Sequence, residues 1–185
     1  MWLLLTLFHA NAIFARDWPT SDVLFVVDST SNVGAFNFEL VKKFMRSVVA
    51  NMHISSTGTR VGLAEYTPKA NFLFTLISGI NKDELDRRIN TISYSPCEQN
   101  CYPLATINSL AKAGLSIASG NRPLVPDVMI IISSSSYELP ELGIRETLMK
   151  PISPIFVFSI NVGALDAVTS STDSYASSAT TIRFS

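Results

Sequence analysis

Three stretches of this chain are apolar at every consecutive position: Val23-Leu24-Phe25-Val26-Val27, Val128-Met129-Ile130-Ile131-Ile132 and Ile155-Phe156-Val157-Phe158. Runs of this kind fit strands covered on both faces, as in parallel sheets. Residues 61–66 and 72–76 are two further strand candidates. Between the runs the spacing changes to that of a helix. Val41, Phe44, Val48 and Met52 share one helical face. Asn81, with Glu84 three residues later, resembles a capping box and opens a second helix, whose stripe is Leu85, Ile89 and Ile92. Pro103 starts a third helix carrying Ile107, Leu110, Ala111, Gly114, Ile117 and Ala118, with Gly120 as its stop. A fourth is expected over residues 140–150, ended by Pro151.

Strands alternating with helices imply an α/β fold with a largely parallel sheet. One link departs from the alternation. Only residues 67–71 separate the strand ending at Tyr66 from the one starting at Phe72. A parallel crossover needs a dozen or more residues. These two strands are therefore expected to be antiparallel neighbours at one edge of the sheet. No internal repeat or interdomain linker interrupts the pattern, and residues 169–181 form a Ser/Thr-rich tail.

A length of 185 residues suits one domain, and 47% apolar residues suffice for a sizeable core. Fourteen basic and 15 acidic residues leave a net charge of −1 without a basic stripe, so neither nucleic acid nor an anionic membrane surface is an expected partner. Residues 1–15 contain no charged side chain and carry the apolar block Trp2, Leu3, Leu4, Leu5, Leu7 and Phe8. That block is shorter than the about 20 residues needed to span a bilayer. With Ala10, Ala12 and Ala15 after it, it reads as a secretory signal over 1–15. The mature domain, 21–185, is then expected to be secreted, with no transmembrane segment. In an oxidising compartment Cys97 and Cys101 can pair, in a tight loop worth about 2 kcal/mol; the alternative is two free thiols. These cysteines and His53 do not make a zinc set.

Open α/β sheets bind ligands beyond the carboxyl ends of their strands, where the strand order reverses. The candidate segments are 28–34 and 133–136. The first reads Asp28-Ser29-Thr30-Ser31-Asn32-Val33-Gly34 and sets a carboxylate, a hydroxyl and an amide at every second position. In an extended loop Asp28, Thr30 and Asn32 would face one way, toward a hard cation such as Mg²⁺ or Ca²⁺. The same residues also suit an ordinary capped turn. Enzymatic readings find no support. The loop lacks Gly-x-Gly-x-x-Gly, the chain lacks a phosphate-cradling Gly-Lys-Ser/Thr loop and a Gly-x-Ser-x-Gly elbow, and His53 sits far from any nucleophile candidate in sequence.

Several segments together resemble the von Willebrand factor A domain family. They are residues 22–28 (Asp-Val-Leu-Phe-Val-Val-Asp), 37–41, 60–66 (Arg-Val-Gly-Leu-Ala-Glu-Tyr), 125–130 and 156–163, in the family's order and within about 21–165. The phrasing is most similar to the A domains of collagen VI α chains, with matrilins more distant. The resemblance implies a doubly wound, mostly parallel sheet with one antiparallel edge strand, and an adhesive role. It also implies a metal-ion-dependent adhesion site, and there the residues depart from the pattern. The family's Asp-x-Ser-x-Ser is matched by Asp28, then Thr30 and Asn32 replace the two serines. In its Thr-x-Thr pattern Leu104 takes one place and only Thr106 remains. Its second aspartate is replaced by Ser134. One carboxylate compensates Mg²⁺ poorly for the water it gives up. No cofactor is therefore expected, with Mg²⁺ or Ca²⁺ on Asp28, Thr30 and Asn32 as the alternative and Thr106 and Ser134 at the site's rim.

The family also closes with a strand and a helix. Here residues 181–184 suit the strand and the sequence then stops at Ser185, so the last helix is expected to be missing. Its absence would bare an apolar strip on Val23–Val27 and Ile155–Phe158 and favour self-association. The leading expectation is a secreted module that binds extracellular matrix proteins such as collagens without metal. The alternatives are an integrin-type metal-dependent adhesion domain and a truncated collagen VI-like product with no role of its own.

Overall fold

The computed structural model describes residues 18–66, 71–96, 103–134 and 155–162. Their elements, in chain order, are β1 (Asp22–Asp28), α1 (Ala35–Ala50), β2 (Arg60–Tyr66), β3 (Asn71–Phe74), α2 (Lys82–Thr91), α3 (Pro103–Gly114), β4 (Asp127–Ser134) and β5 (Ile155–Val162). The strands form one sheet in the order β3-β2-β1-β4-β5. β1 pairs in parallel with β2 and β4, and β4 in parallel with β5. β3 runs antiparallel to β2 at one edge, with a register shift at Leu63/Ala64. The short link between Tyr66 and Asn71 forces this arrangement, because no crossover fits in so few residues. The strand order reverses between β1 and β4, the doubly wound pattern that the resemblance implied.

All seven residues of β1 are buried. Val23, Phe25 and Val27 face a layer made by α1 and α2, with Val61, Leu63, Val128, Ile130 and Ile132 beside them. Leu24 and Val26 face α3 through Ile107, Leu110, Ala111 and Leu115. An unbroken apolar run is what a strand with two covered faces requires. Val23–Val27 therefore do not form an exposed strip, contrary to the expectation above. On β5 Phe156 is 39% exposed, while Phe158 packs against the α1/α2 core. The 1–15 leader, Cys97 and Cys101, the helix expected over 140–150 and everything after Val162 lie outside the described residues.

The helical stripes hold with two adjustments. Val41, Phe44 and Val48 of α1 are buried, and Met52, also buried, falls beyond the helix end. The side chain of Asn81 caps α2 by accepting from the Glu84 amide at 2.9 Å. α3 ends at Gly114, earlier than its pattern suggests. Ser116 accepts from the Ser119 amide and bends the chain into a 3-10 turn over Ile117–Ser119, so Ile117 is 75% exposed. A serine that can bond the backbone locally competes with helix continuation. Gly120, at φ 96°, stops this turn and not the helix.

α1 and α2 pack side by side and cap one another. Lys42 of α1 donates to the carbonyls of Asn90 and Ile92 at the end of α2, and Lys82 of α2 donates to those of Ala50 and Met52 at the end of α1. Cations suit both places, where helix carbonyls lack partners and the dipole is negative. Between them Arg46 grips Asp86 with two bonds, of 2.7 and 2.9 Å, and this contact holds the Asp86 carboxyl below its usual pKa.

At the amino-terminal pole of the sheet the fully buried Asp22 carboxylate accepts from the Arg122 backbone N–H at 2.6 Å and from its guanidinium at 2.7 and 3.0 Å. The same guanidinium donates to the carbonyls of Thr57 and Gly58, and so ties the loop before β2 to the start of β1. Removing one partner of a buried pair costs about 3–5 kcal/mol. Arg122→Met is expected to lose about 3 kcal/mol, the lower end, because the backbone N–H still reaches Asp22. A denaturant melt measures this, and an unchanged midpoint would show that the pair is dispensable.

Candidate functional site

The carboxyl ends of β1 and β4 meet at the point where the strand order reverses. Val27 pairs with Ile132, so Asp28 and Ser133 follow side by side, and both are buried. The chain leaves β1 in a tight turn. The Asp28 Oδ1 atom accepts the Thr30 N–H at 2.8 Å, and the Val33 N–H returns to the Thr30 carbonyl at 3.2 Å. Gly34, at φ 75°, then opens α1 in a conformation that a side chain would strain.

The three residues proposed as ligands differ in exposure. Asp28 and Thr30 are buried, but the turn at 30–33 carries Asn32 to the exposed surface. The alternation of an extended loop thus fails at Thr30. Thr106 falls in the first turn of α3 and Ser134 at the end of β4, and their side chains lie outside the described set.

A residue not singled out from the sequence fixes the loop. The Tyr94 hydroxyl, in the segment after α2, donates to the Thr30 carbonyl at 2.8 Å and accepts from the Gly34 N–H at 3.2 Å. Its ring lies against Phe38 of α1, centroids 5.1 Å apart and tilted by 39°. Asn37 adds a bond from Nδ2 to the Val33 carbonyl. Three separate elements thereby hold the turn.

The donor set fits a divalent cation poorly. The Ser29 Oγ and Thr30 Oγ1 atoms are buried without a hydrogen-bond partner among the described residues, so hydroxyl oxygens are at hand. The shortage is of charge. Asp28 is the one carboxylate of the loop and already spends an oxygen on a backbone amide. Among the described residues no group of three or more His, Cys, Asp or Glu side chains gathers to hold a metal. Hard cations need several oxygen ligands and compensating charge.

Beside the loop, at the same end of the sheet, a cleft of about 390 Å³ opens between β2, β3 and the end of α2, lined by Glu65, Leu73, Phe74, Arg88, Thr91, Ile92 and Ser93. Glu65 pairs in register with Val27 of β1. Burial pushes its carboxyl pKa up, and a hydrogen bond with the Asn71 side chain offsets this in part. Arg88 bonds through Nε to Glu84 at 2.6 Å, and Arg87 holds the same carboxylate.

A doubly wound sheet with a polar turn pinned at its switch point is the architecture that carries a ligand crevice at the carboxyl ends of its strands. The chain belongs to the von Willebrand factor type A domain family, whose model matches residues 22–180. It is 30% identical to matrilin-1 of Bos taurus over 155 residues, which is 83% of this chain and 28% of that protein. It is 30% identical to the human collagen alpha-6(VI) chain over 120 residues, 64% of this chain and 5% of that one. Both groups inferred from the sequence are thus among its relatives, and the chain spans under a third of the matrilin-1 chains it matches. Proximal thread matrix protein 1 from the mussel byssus, in a structure with zinc in its MIDAS motif, shares the fold at a TM-score of 0.67 and 14% identity, over 80% of this chain and 39% of that one.

Replacing Tyr94 with Phe keeps the ring on Phe38 and removes both hydroxyl bonds. The cost is expected to be about 1–2 kcal/mol, the range for stranding partly buried backbone groups. Urea midpoints of the two proteins measure it, and equal midpoints would show that Tyr94 does not secure the turn.

Proposed function

We propose that this domain is a secreted, non-enzymatic module that binds extracellular matrix proteins such as collagens, through loops at the carboxyl end of its sheet and without a metal ion. The observation that carries this reading is the Asp28–Gly34 turn. It sits at the family's adhesion position, yet the hydroxyl of Tyr94 holds it and it offers one carboxylate. The kinship with matrilin-1 and collagen VI chains supports the matrix setting. Among the described residues no helix is long and apolar enough to cross a membrane. The proposal includes removal of residues 1–15 on secretion and a Cys97–Cys101 bond, which would stiffen the loop ahead of α3.

The competing reading is a metal-dependent adhesion domain, favoured by the unpartnered buried Thr30 hydroxyl and using Asp28, Thr30 and Asn32. Binding to immobilised collagens and other matrix proteins, with and without EDTA, separates the two. Binding that persists unchanged in EDTA is expected. Millimolar Mg²⁺ should also leave the melting temperature unchanged, whereas a cation at 100 times its dissociation constant would add about 2.7 kcal/mol. Binding abolished by EDTA, together with a cation-dependent rise in melting temperature, would restore the metal-dependent reading.

A further inference from the structure

The cleft beside the turn has features that the adhesion loop does not use. One of its lining groups is the Glu65 carboxylate. That group is half-buried, and its side-chain hydrogen bond is to the amide of Asn71. Among the described residues no Lys or Arg forms an ion pair with it. A carboxylate taken from water without a cation is left under-compensated. Leu73, Phe74 and Ile92 give the cleft apolar walls. Thr91, Ile92 and Ser93 belong to the end of α2, whose last carbonyls already draw in the Lys42 ammonium from the neighbouring helix. A helix carboxyl end attracts positive charge. A volume of about 390 Å³ accommodates a single long side chain, with methylenes along the walls and a charged tip at the carboxylate.

We infer that this cleft is a recognition pocket for a lysine or arginine side chain of a partner protein, with Glu65 as its counter-ion. The stem lies between Leu73, Phe74 and Ile92, and the cation meets Glu65. Arg88 is the opposing feature, since it lines the cleft with a positive charge. Its Nε is committed to Glu84, which lowers its power to repel an incoming cation. The inference deepens the matrix-binding reading by naming one side chain that a partner would insert, but the pocket can be tested without any matrix protein.

The test is an amide-resolved NMR titration of the full chain with Nα-acetyl-arginine amide and Nα-acetyl-lysine amide. Nα-acetyl-norleucine amide and Nα-acetyl-glutamate amide serve as neutral and acidic counterparts. A basic probe is expected to shift the amides of Leu73, Phe74, Ile92 and Ser93 saturably, with at least about tenfold tighter binding than norleucine. Glu65→Gln, which keeps the shape and removes the charge, should erase that preference. The spectrum of the variant reports directly whether it is folded. The wild-type series stands by itself if the variant is not. Equal binding of the basic and norleucine probes, preferential binding of the glutamate probe, or a folded Glu65→Gln variant that keeps the preference would each overturn the inference. Loss of matrix binding with the probe result intact would count against the adhesion reading alone.

Discussion

Burial of β1 on both faces is the constraint from which the rest of the molecule follows. A seven-residue strand with no exposed position needs a helical layer above and another below. α1 and α2 supply one, and α3 supplies the other. Helices on both faces require long crossovers, and these make the strands beside β1 parallel. With β2 on one side of β1 and β4 on the other, the order reverses there, and a crevice opens at the carboxyl ends. The chemistry at this end is therefore placed by packing. Asp28 stands at the crevice because five apolar residues before it are locked in the core.

The two poles of the sheet handle polar groups differently. At the amino-terminal pole Asp22 is buried and fully engaged by Arg122, which also binds two loop carbonyls. That end is closed. At the other pole a carboxylate turns inward on a backbone amide, two hydroxyls lie buried without partners, and Glu65 is lifted above its ordinary pKa in a cleft. Two of the four buried side-chain atoms without a hydrogen bond among the described residues, Ser29 Oγ and Thr30 Oγ1, lie at the end where this architecture binds ligands. Tyr94 makes the turn rigid without filling it, because its hydroxyl bonds only to main-chain atoms of the turn.

Much of the fold was legible in the sequence because its signals are local. The apolar runs marked β1, β4 and β5, the short link to Phe72 dictated the antiparallel edge, and Asn81 with Glu84 marked the start of α2. The misreadings arose where a nearby bond competes with periodicity. Ser116 bends the chain before Ile117, so an apolar residue at a helical interval ends on the surface. In the same way the bond from the Thr30 N–H to Asp28 turns the loop, so the extended alternation ends there and Asn32 lies exposed. Tyr94, Arg122 and Glu65 gave no signal at all. Tyr94 and Arg122 act on residues far along the chain, 64 positions away at Thr30 and 100 at Asp22, and Glu65 is marked only by the cleft it lines. Only the assembled sheet brings them together.

If the protein's own bonds hold the Asp28–Gly34 turn, its rigidity is independent of cations. Hydrogen exchange at the Thr30 and Gly34 amides measures that rigidity, because these N–H groups bond to Asp28 and Tyr94 respectively. Protection at both amides is predicted to be the same in EDTA and in millimolar Mg²⁺ or Mn²⁺. Protection that appears only when cation is added would contradict this and show that the turn is organised by a metal ion after all.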